Sequence, residues 1–179
     1  MKLLFFSIFL YFSCFNSLFA QEGNPYKGCC GTETVEIKIA GTKMFVPNIF
    51  TPNDDGINDV FRPYYDAKKL TVQQFTIRDN ADKIIWTTEK FNPNENNSAW
   101  EGYLTKDSKY TGLFRYSFVV VDTKGVISVF GGSACSVVCN SKTPIAIENK
   151  SKCFFPIQYQ KDSLNHISPI AIEMDCLQN

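Results

Sequence analysis

The residues best placed to do chemistry crowd into seven positions, Asn53-Asp54-Asp55-Gly56-Ile57-Asn58-Asp59. Three carboxylates and two side-chain amides in so short a run can supply oxygens to a hard cation, which wants about six to eight of them. The candidate calcium ligands are Asn53, Asp55, Ile57 through its carbonyl, Asn58 and Asp59. On an EF-hand-like alignment Asn53, Asp55, Ile57 and Asp59 fall at the third, fifth, seventh and ninth positions. Thr51 and Arg62 then occupy the first and twelfth, where strong acidic ligands belong, so the site would be incomplete. The other reading is a tight corner in which Asn and Asp side chains cap nearby backbone amides. Both stay open, and the missing acidic ligands favour the corner.

Little else supports chemistry. No catalytic residue is assigned: the one histidine, His166, stands in a polar segment, and a lone exposed imidazole is ordinarily solvated. No nucleophile elbow, metal-binding His pair or phosphate loop occurs, so the chain is expected not to be an enzyme. Trp86, Phe91 and Trp100 could stack on sugars, but burial is the better reading of all three. Ser163, within Asp162-Ser163-Leu164, is a candidate O-glycosylation acceptor; a plain polar turn is the alternative.

The elements that must position these residues read as strands. Val35, Ile37 and Ile39 alternate with Glu36 and Lys38, as a half-buried strand requires. Met44 to Phe50 reads as a second strand, Leu70 to Ile77 as a third and Ile84 to Trp86 as a fourth. Phe114, Tyr116, Phe118 and Val120 share one face of a long strand. A Thr123-Lys124-Gly125 turn follows, and Val126 to Phe130 complete a hairpin. No amphipathic helix is evident. The fold class predicted is all-β, an antiparallel immunoglobulin-like β-sandwich with a disulfide-braced C-terminal extension.

The N-terminus has the layout of a secretory signal, residues 1–20: Met1-Lys2, an apolar run from Leu3 to Phe12, then Ser17-Leu18-Phe19-Ala20. Cys14 could suggest a lipoprotein, but Tyr11 stands where a lipobox wants an aliphatic residue. The expected localisation is exported: at the outer membrane, on the cell surface or secreted. Formal net charge is zero and no basic cluster exceeds Lys68-Lys69, so nucleic acid is not an expected partner.

Six of the seven cysteines lie beyond the leader: Cys29, Cys30, Cys135, Cys139, Cys153 and Cys176. An even number in an exported chain reads as three disulfides. Adjacent Cys29 and Cys30 should pair with Cys135 and Cys139, and Cys153 with Cys176. A zinc site from Cys29, Cys30, Cys135 and Cys139 is the competing idea, opposed by export and by the adjacency of two ligands.

The wider stretch Val46-Pro47-Asn48-Ile49-Phe50-Thr51-Pro52-Asn53-Asp54-Asp55-Gly56-Ile57-Asn58-Asp59-Val60-Phe61 adds a pattern to the composition. It resembles the opening motif of the gliding-motility-associated C-terminal domain, the type B sorting domain of the type IX secretion system of Bacteroidetes. Pro47, Asn48, Phe50, Thr51, Pro52, Asn53, Asp55, Gly56, Asn58, Asp59 and Phe61 match; Asp54 stands where that family has Gly. Phe75 to Asp79, Trp100-Glu101-Gly102, Gly112 to Tyr116 and Lys124 to Ile127 follow in the family's order, although the turn from Arg78 to Lys83 lacks its Trp-Gly. The resemblance covers about residues 44–130.

The resemblance implies an accessory or interaction protein of the secretion and gliding machinery, with an outer-membrane β-barrel or surface-complex protein as partner. An extracellular glycan- or matrix-binding module is the alternative. The domain division expected is a leader (1–20), an N-terminal segment and first strand (21–43), the sorting-domain-like sandwich (44–133) and a cysteine-containing extension (134–179). Within the extension, Pro144-Ile145-Ala146-Ile147-Glu148 recurs as Pro169-Ile170-Ala171-Ile172-Glu173, which reads as two short β segments clamped by Cys153 and Cys176; chance similarity between two edge strands is the alternative.

Overall fold

A computed structural model describes residues 35–93, 98–139, 145–147, 152–160, 166–167 and 177–178. These residues are all-β, and no helix among them is long and apolar enough to cross a membrane. Three strands, β1 (Glu36–Ile39), β2 (Thr42–Phe45) and β4 (Tyr64–Tyr65), form an antiparallel sheet in the order β1-β2-β4. A five-stranded sheet runs β3-β10-β9-β5-β6, from β3 (Ile49–Phe50), β5 (Leu70–Arg78), β6 (Ile84–Phe91), β9 (Gly112–Asp122) and β10 (Ile127–Ser136). The short hairpin β7 (Tyr103–Thr105) and β8 (Ser108–Lys109) lies between β6 and β9 in the chain.

The run from Met44 to Phe50, expected as one strand, is divided between the two sheets. Pro47 has no N–H to offer a ladder, so pairing stops there. Val46 still bonds back to Val35 at 2.8 Å, and β3 then resumes against β10. That pairing is parallel, Ile49 opposite Cys135, so the large sheet is mixed where a purely antiparallel one was expected. The chain thereby crosses from one sheet to the other within three residues.

Alternation explains the buried faces. Phe114, Tyr116, Phe118 and Val120 of β9 all point inward. In β5 the inward series is Leu70, Val72, Phe75 and Ile77, with the period broken at Gln74, whose φ is +50°. The β5–β9 register shifts between Gln73 and Thr76, a bulge that inserts one residue and keeps Phe75 in the core. Side chains from both sheets, among them Ile39, Met44, Tyr65, Val72, Phe75 and Phe118, fill one apolar cluster.

β10 continues to Ser136, so the boundary expected between residues 133 and 134 falls inside a strand. Beyond it, β11 (Ile145–Ala146) pairs in parallel with β14 (Leu177–Gln178), and β12 (Tyr159–Gln160) with β13 (His166–Ile167) antiparallel. Of the repeated five-residue segments, the second (169–173) lies outside the described residues, as does the leader (1–20).

Candidate functional site

The motif corner begins with its aromatic floor. Phe50 and Phe61 bracket the corner, and an isolated antiparallel bridge joins Phe61 to Trp100 through N–H···O bonds of 2.8 and 3.1 Å. Phe114 packs against Phe50, Phe61 and Trp100 with ring centroids 5.9, 4.8 and 4.9 Å away. Gly102 adopts φ +79°, and a Cβ there would come within 2.7 Å of the Pro52 ring, so only glycine lets the two segments close. Segments far apart in the chain thus meet under residues 50–61. The indole N–H of Trp100 donates to the Tyr103 carbonyl at 3.2 Å. Trp100 and Phe91 are buried, and Trp86 is half-buried edge-on to Phe75.

Above this floor the polar residues cap backbone amides. The Asp59 carboxylate accepts from Asn53 and Asp54 N–H through Oδ1, at 2.9 and 2.7 Å, and from Gly56 N–H through Oδ2, at 2.6 Å. Asp55 Oδ1 accepts from Ile57 N–H at 2.8 Å, while the Asn53 side-chain amide donates to Asp55 Oδ2 at 2.9 Å. Asp54, Gly56 and Asn58 have φ of 65°, 88° and 56°. Asp54 thus takes a left-handed conformation where the motif it resembles has glycine, and Asp and Asn tolerate that region better than most residues. Asp79 and Asp122 cap the β5–β6 and β9–β10 turns in the same way, each accepting two backbone N–H groups through Oδ1.

Four of the five candidate calcium ligands are therefore engaged in this network or in the latch described next, and Ile57 contributes its N–H to it. Among the described residues no cluster of three or more His, Cys, Asp or Glu is arranged to hold a metal ion. Asp54 faces outward to a cation of the chain's own. Lys109 Nζ lies 2.5 Å from Asp54 Oδ1 and 4.7 Å over the Tyr103 ring, whose hydroxyl donates to Asp54 at 3.3 Å. The Lys109 ammonium, with help from the Tyr103 hydroxyl, holds the Asp54 carboxyl below its ordinary value against a modest desolvation.

Two asparagines of the motif reach to the C-terminal segment instead. The side chain of Asn48, itself buried, donates to the Lys152 carbonyl at 2.9 Å and accepts from Phe154 N–H at 2.8 Å. Its backbone N–H donates to the Phe154 carbonyl at 3.1 Å. Asn58 Oδ1 accepts from Ile157 N–H at 2.9 Å. Residues 152–160 thereby form a strap fixed to the corner. Its buried Phe155 enters a second, smaller core with Ile49, Cys135, Val137, Cys139, Ile147 and Cys153. Tyr159 continues onto the small sheet, its ring 4.9 Å from Tyr64 and stacked 6.0 Å from Phe45.

Cys135, Cys139 and Cys153 are buried and disulfide-bonded. Cys29, Cys30 and Cys176, their expected partners, lie outside the described residues, as does Ser163. His166 lies in β13.

Between corner and strap runs an open groove of about 380 Å³, lined by Ile57, Val60, Tyr64, Glu101, Pro156 and Ile157 among others. Arg62 stacks over Tyr64 at 5.0 Å; burial pushes the Tyr64 phenol above its ordinary value, and Arg62 opposes the shift. The arrangement holds shape and presents two exposed isoleucines, Ile57 and Ile157. Sequence reasoning did not foresee the latch. The available signal was an asparagine next to Pro47, at a point where an exposed turn would leave its amide to water. No protein-family model, curated protein or solved structure matches this chain.

Proposed function

We propose that this chain is an exported, non-enzymatic interaction protein. It acts as an accessory of the type IX secretion and gliding-motility system, docking on an outer-membrane β-barrel or surface complex. One observation carries the reading: the residues that resemble the sorting-domain motif act as a unit. Phe50, Phe61, Trp100 and Phe114, drawn from three of the matching segments, share one aromatic cluster, and Gly102 closes on Pro52. The clustering supports the reading because the matching segments build one corner rather than separate parts of the molecule.

The finer architecture belongs to the same proposal. The two sheets would form an immunoglobulin-like sandwich, and cystines at Cys135, Cys139 and Cys153 would brace the extension against it. The strap and the groove beside it then offer the contact surface, since they carry exposed apolar side chains on a rigid corner.

Crosslinking on intact cells, followed by identification of the attached protein, tests this directly. A component of the secretion or gliding machinery is the expected product. Recovery of the chain from the cytoplasm, or specific retention on polysaccharide that is lost in Trp86→Ala, would replace the reading with another.

A further inference from the structure

We propose that the edge of β10 left uncovered by the described strands pairs with the same edge of a second copy of this chain. The inference goes beyond membership of a surface complex and holds with or without it.

The geometry of the edge follows from the ladder. Cys135 and Val137 donate their N–H groups to Asn48 and Phe50, each at 3.0 Å, on the side of β10 occupied by β3. Backbone groups alternate sides along a strand, and β10 keeps an unbroken register against β9 from Ile127 to Ser136. The N–H and C=O groups of Ile127, Val129, Gly131 and Ser133 therefore face the same lane as those of Cys135. The lane beside residues 127–133 has no strand in it among the described residues, because β3 begins only at Ile49.

This edge lacks the usual guards. Natural edges carry charge, proline or bulges that stop strand addition. The opposite edge strand of this sheet, β6, has Glu89 and Lys90, and β1 at the edge of the small sheet has Glu36 and Lys38. From Ile127 to Ser136 there is no charged residue, no proline and no register shift. Instead Val126, Ile127 and Val129 are 56%, 67% and 73% exposed.

The complement such an edge needs is an uncharged strand that can cover Val129, and β10 is itself one. Antiparallel pairing centred on Phe130 sets Val129 of each copy opposite Gly131 of the other, and Ile127 opposite Ser133. Gly131 is bare for an internal reason: a Cβ there would stand 2.9 Å from the Tyr116 carbonyl oxygen. The gap it leaves on the outer face is where the partner's Val129 would lie. With no charge in either strand and a formal net charge of zero, nothing electrostatic opposes the pairing of two copies. The contact is isologous and closes as a two-fold dimer.

Sedimentation equilibrium across a wide concentration range, combined with amide hydrogen exchange, provides the test. The wild-type chain is expected to dimerise, with the amides of Ile127, Val129, Gly131 and Ser133 gaining protection as concentration rises. The amides of Ser128, Phe130 and Gly132, bonded to β9, should not change. Val129→Lys, a change at an exposed position, should weaken the dimer by roughly a hundredfold, because it removes the Val129–Gly131 contact in both copies and brings two like charges together at a pairing edge. Val121→Lys, on the same outer face but one strand inward, should leave it intact. A chain that stays monomeric throughout would overturn the proposal, as would a dimer that survives Val129→Lys or dissociates only in Val121→Lys. Protection of the edge amides solely on addition of another protein would also overturn it, and would assign the edge to a foreign strand.

Discussion

The aromatic core between the sheets and the small core under the C-terminal strap are built from different materials. The first is phenylalanine, tryptophan, tyrosine and aliphatic side chains in mutual contact, with Phe61 touching four other rings. The second has few large side chains, Ile49, Val137, Ile147 and Phe155, packed with Cys135, Cys139 and Cys153, and is joined to the corner by the Asn48 and Asn58 side chains. Apolar burial is non-directional and tolerates some rearrangement, whereas an amide latch works only at one geometry. The comparison teaches that the packed sheets supply stability and the latch supplies position. Residues 152–160 lie where they do because the corner fixes their backbone.

The largest effect expected comes from the first core. Phe61→Ala should cost about 3–5 kcal/mol in urea unfolding, as deletion of a buried aromatic ordinarily does. A loss below about 1 kcal/mol would mean that the two cores do not differ as described. Asn48→Ala removes one donor and one acceptor, leaving the Lys152 carbonyl and Phe154 N–H without their partner. The expected loss is about 2–4 kcal/mol, one desolvation penalty for each group. Unlike Phe61→Ala, it should release the strap while the β5–β9 pairing persists.

The two regions also differ in how much of them could be read from sequence. Strong alternation made β9 and β5 legible, and the Asn-Asp-Gly crowding made the corner legible as a turn. The Gln74 bulge was not, because two consecutive glutamines carry no period of their own. β10 was cut short at Phe130, since Gly131-Gly132-Ser133 reads as a linker although the ladder runs through it. The latch joins positions about a hundred residues apart, and no local pattern announces which buried carbonyl an asparagine will meet. Hence the corner was legible as a shape while its second task, holding the strap, was not. Oxygens crowded for capping and oxygens crowded for a cation have the same composition, so the loop's sequence leaves both the capped corner and calcium open.

Asp59→Ala sharpens that point. It removes the acceptor for three backbone amides in a partly exposed loop, and about 1–3 kcal/mol should be lost. A chelator added to the wild-type chain should leave the melting temperature unchanged; a fall on chelation would return the loop to the calcium reading.

The smallest effect belongs to Asp54. Its carboxyl is held below the ordinary 3.8 by Lys109, so the pair stabilises the fold above that pH, and the contribution is lost as pH falls through the lower folded value. Because Asp54 is largely exposed, solvent screening keeps the contribution below about 1 kcal/mol. Asp54→Asn should therefore unfold in urea slightly earlier than wild type at neutral pH, and the difference should vanish in strong acid.

The central claim is that Asn48 and Asn58 hold residues 152–160 against the corner and the sheets beneath it. Residue-resolved hydrogen exchange of the wild-type chain and of Asn48→Ala tests it most directly. The account predicts protected amides at Phe154 and Ile157 in the wild type. In the variant the Phe154 amide should open, while amides of β5 and β9 keep their protection. Free exchange at both positions in the wild-type chain, or a Phe154 amide unmoved by loss of Asn48, would contradict it.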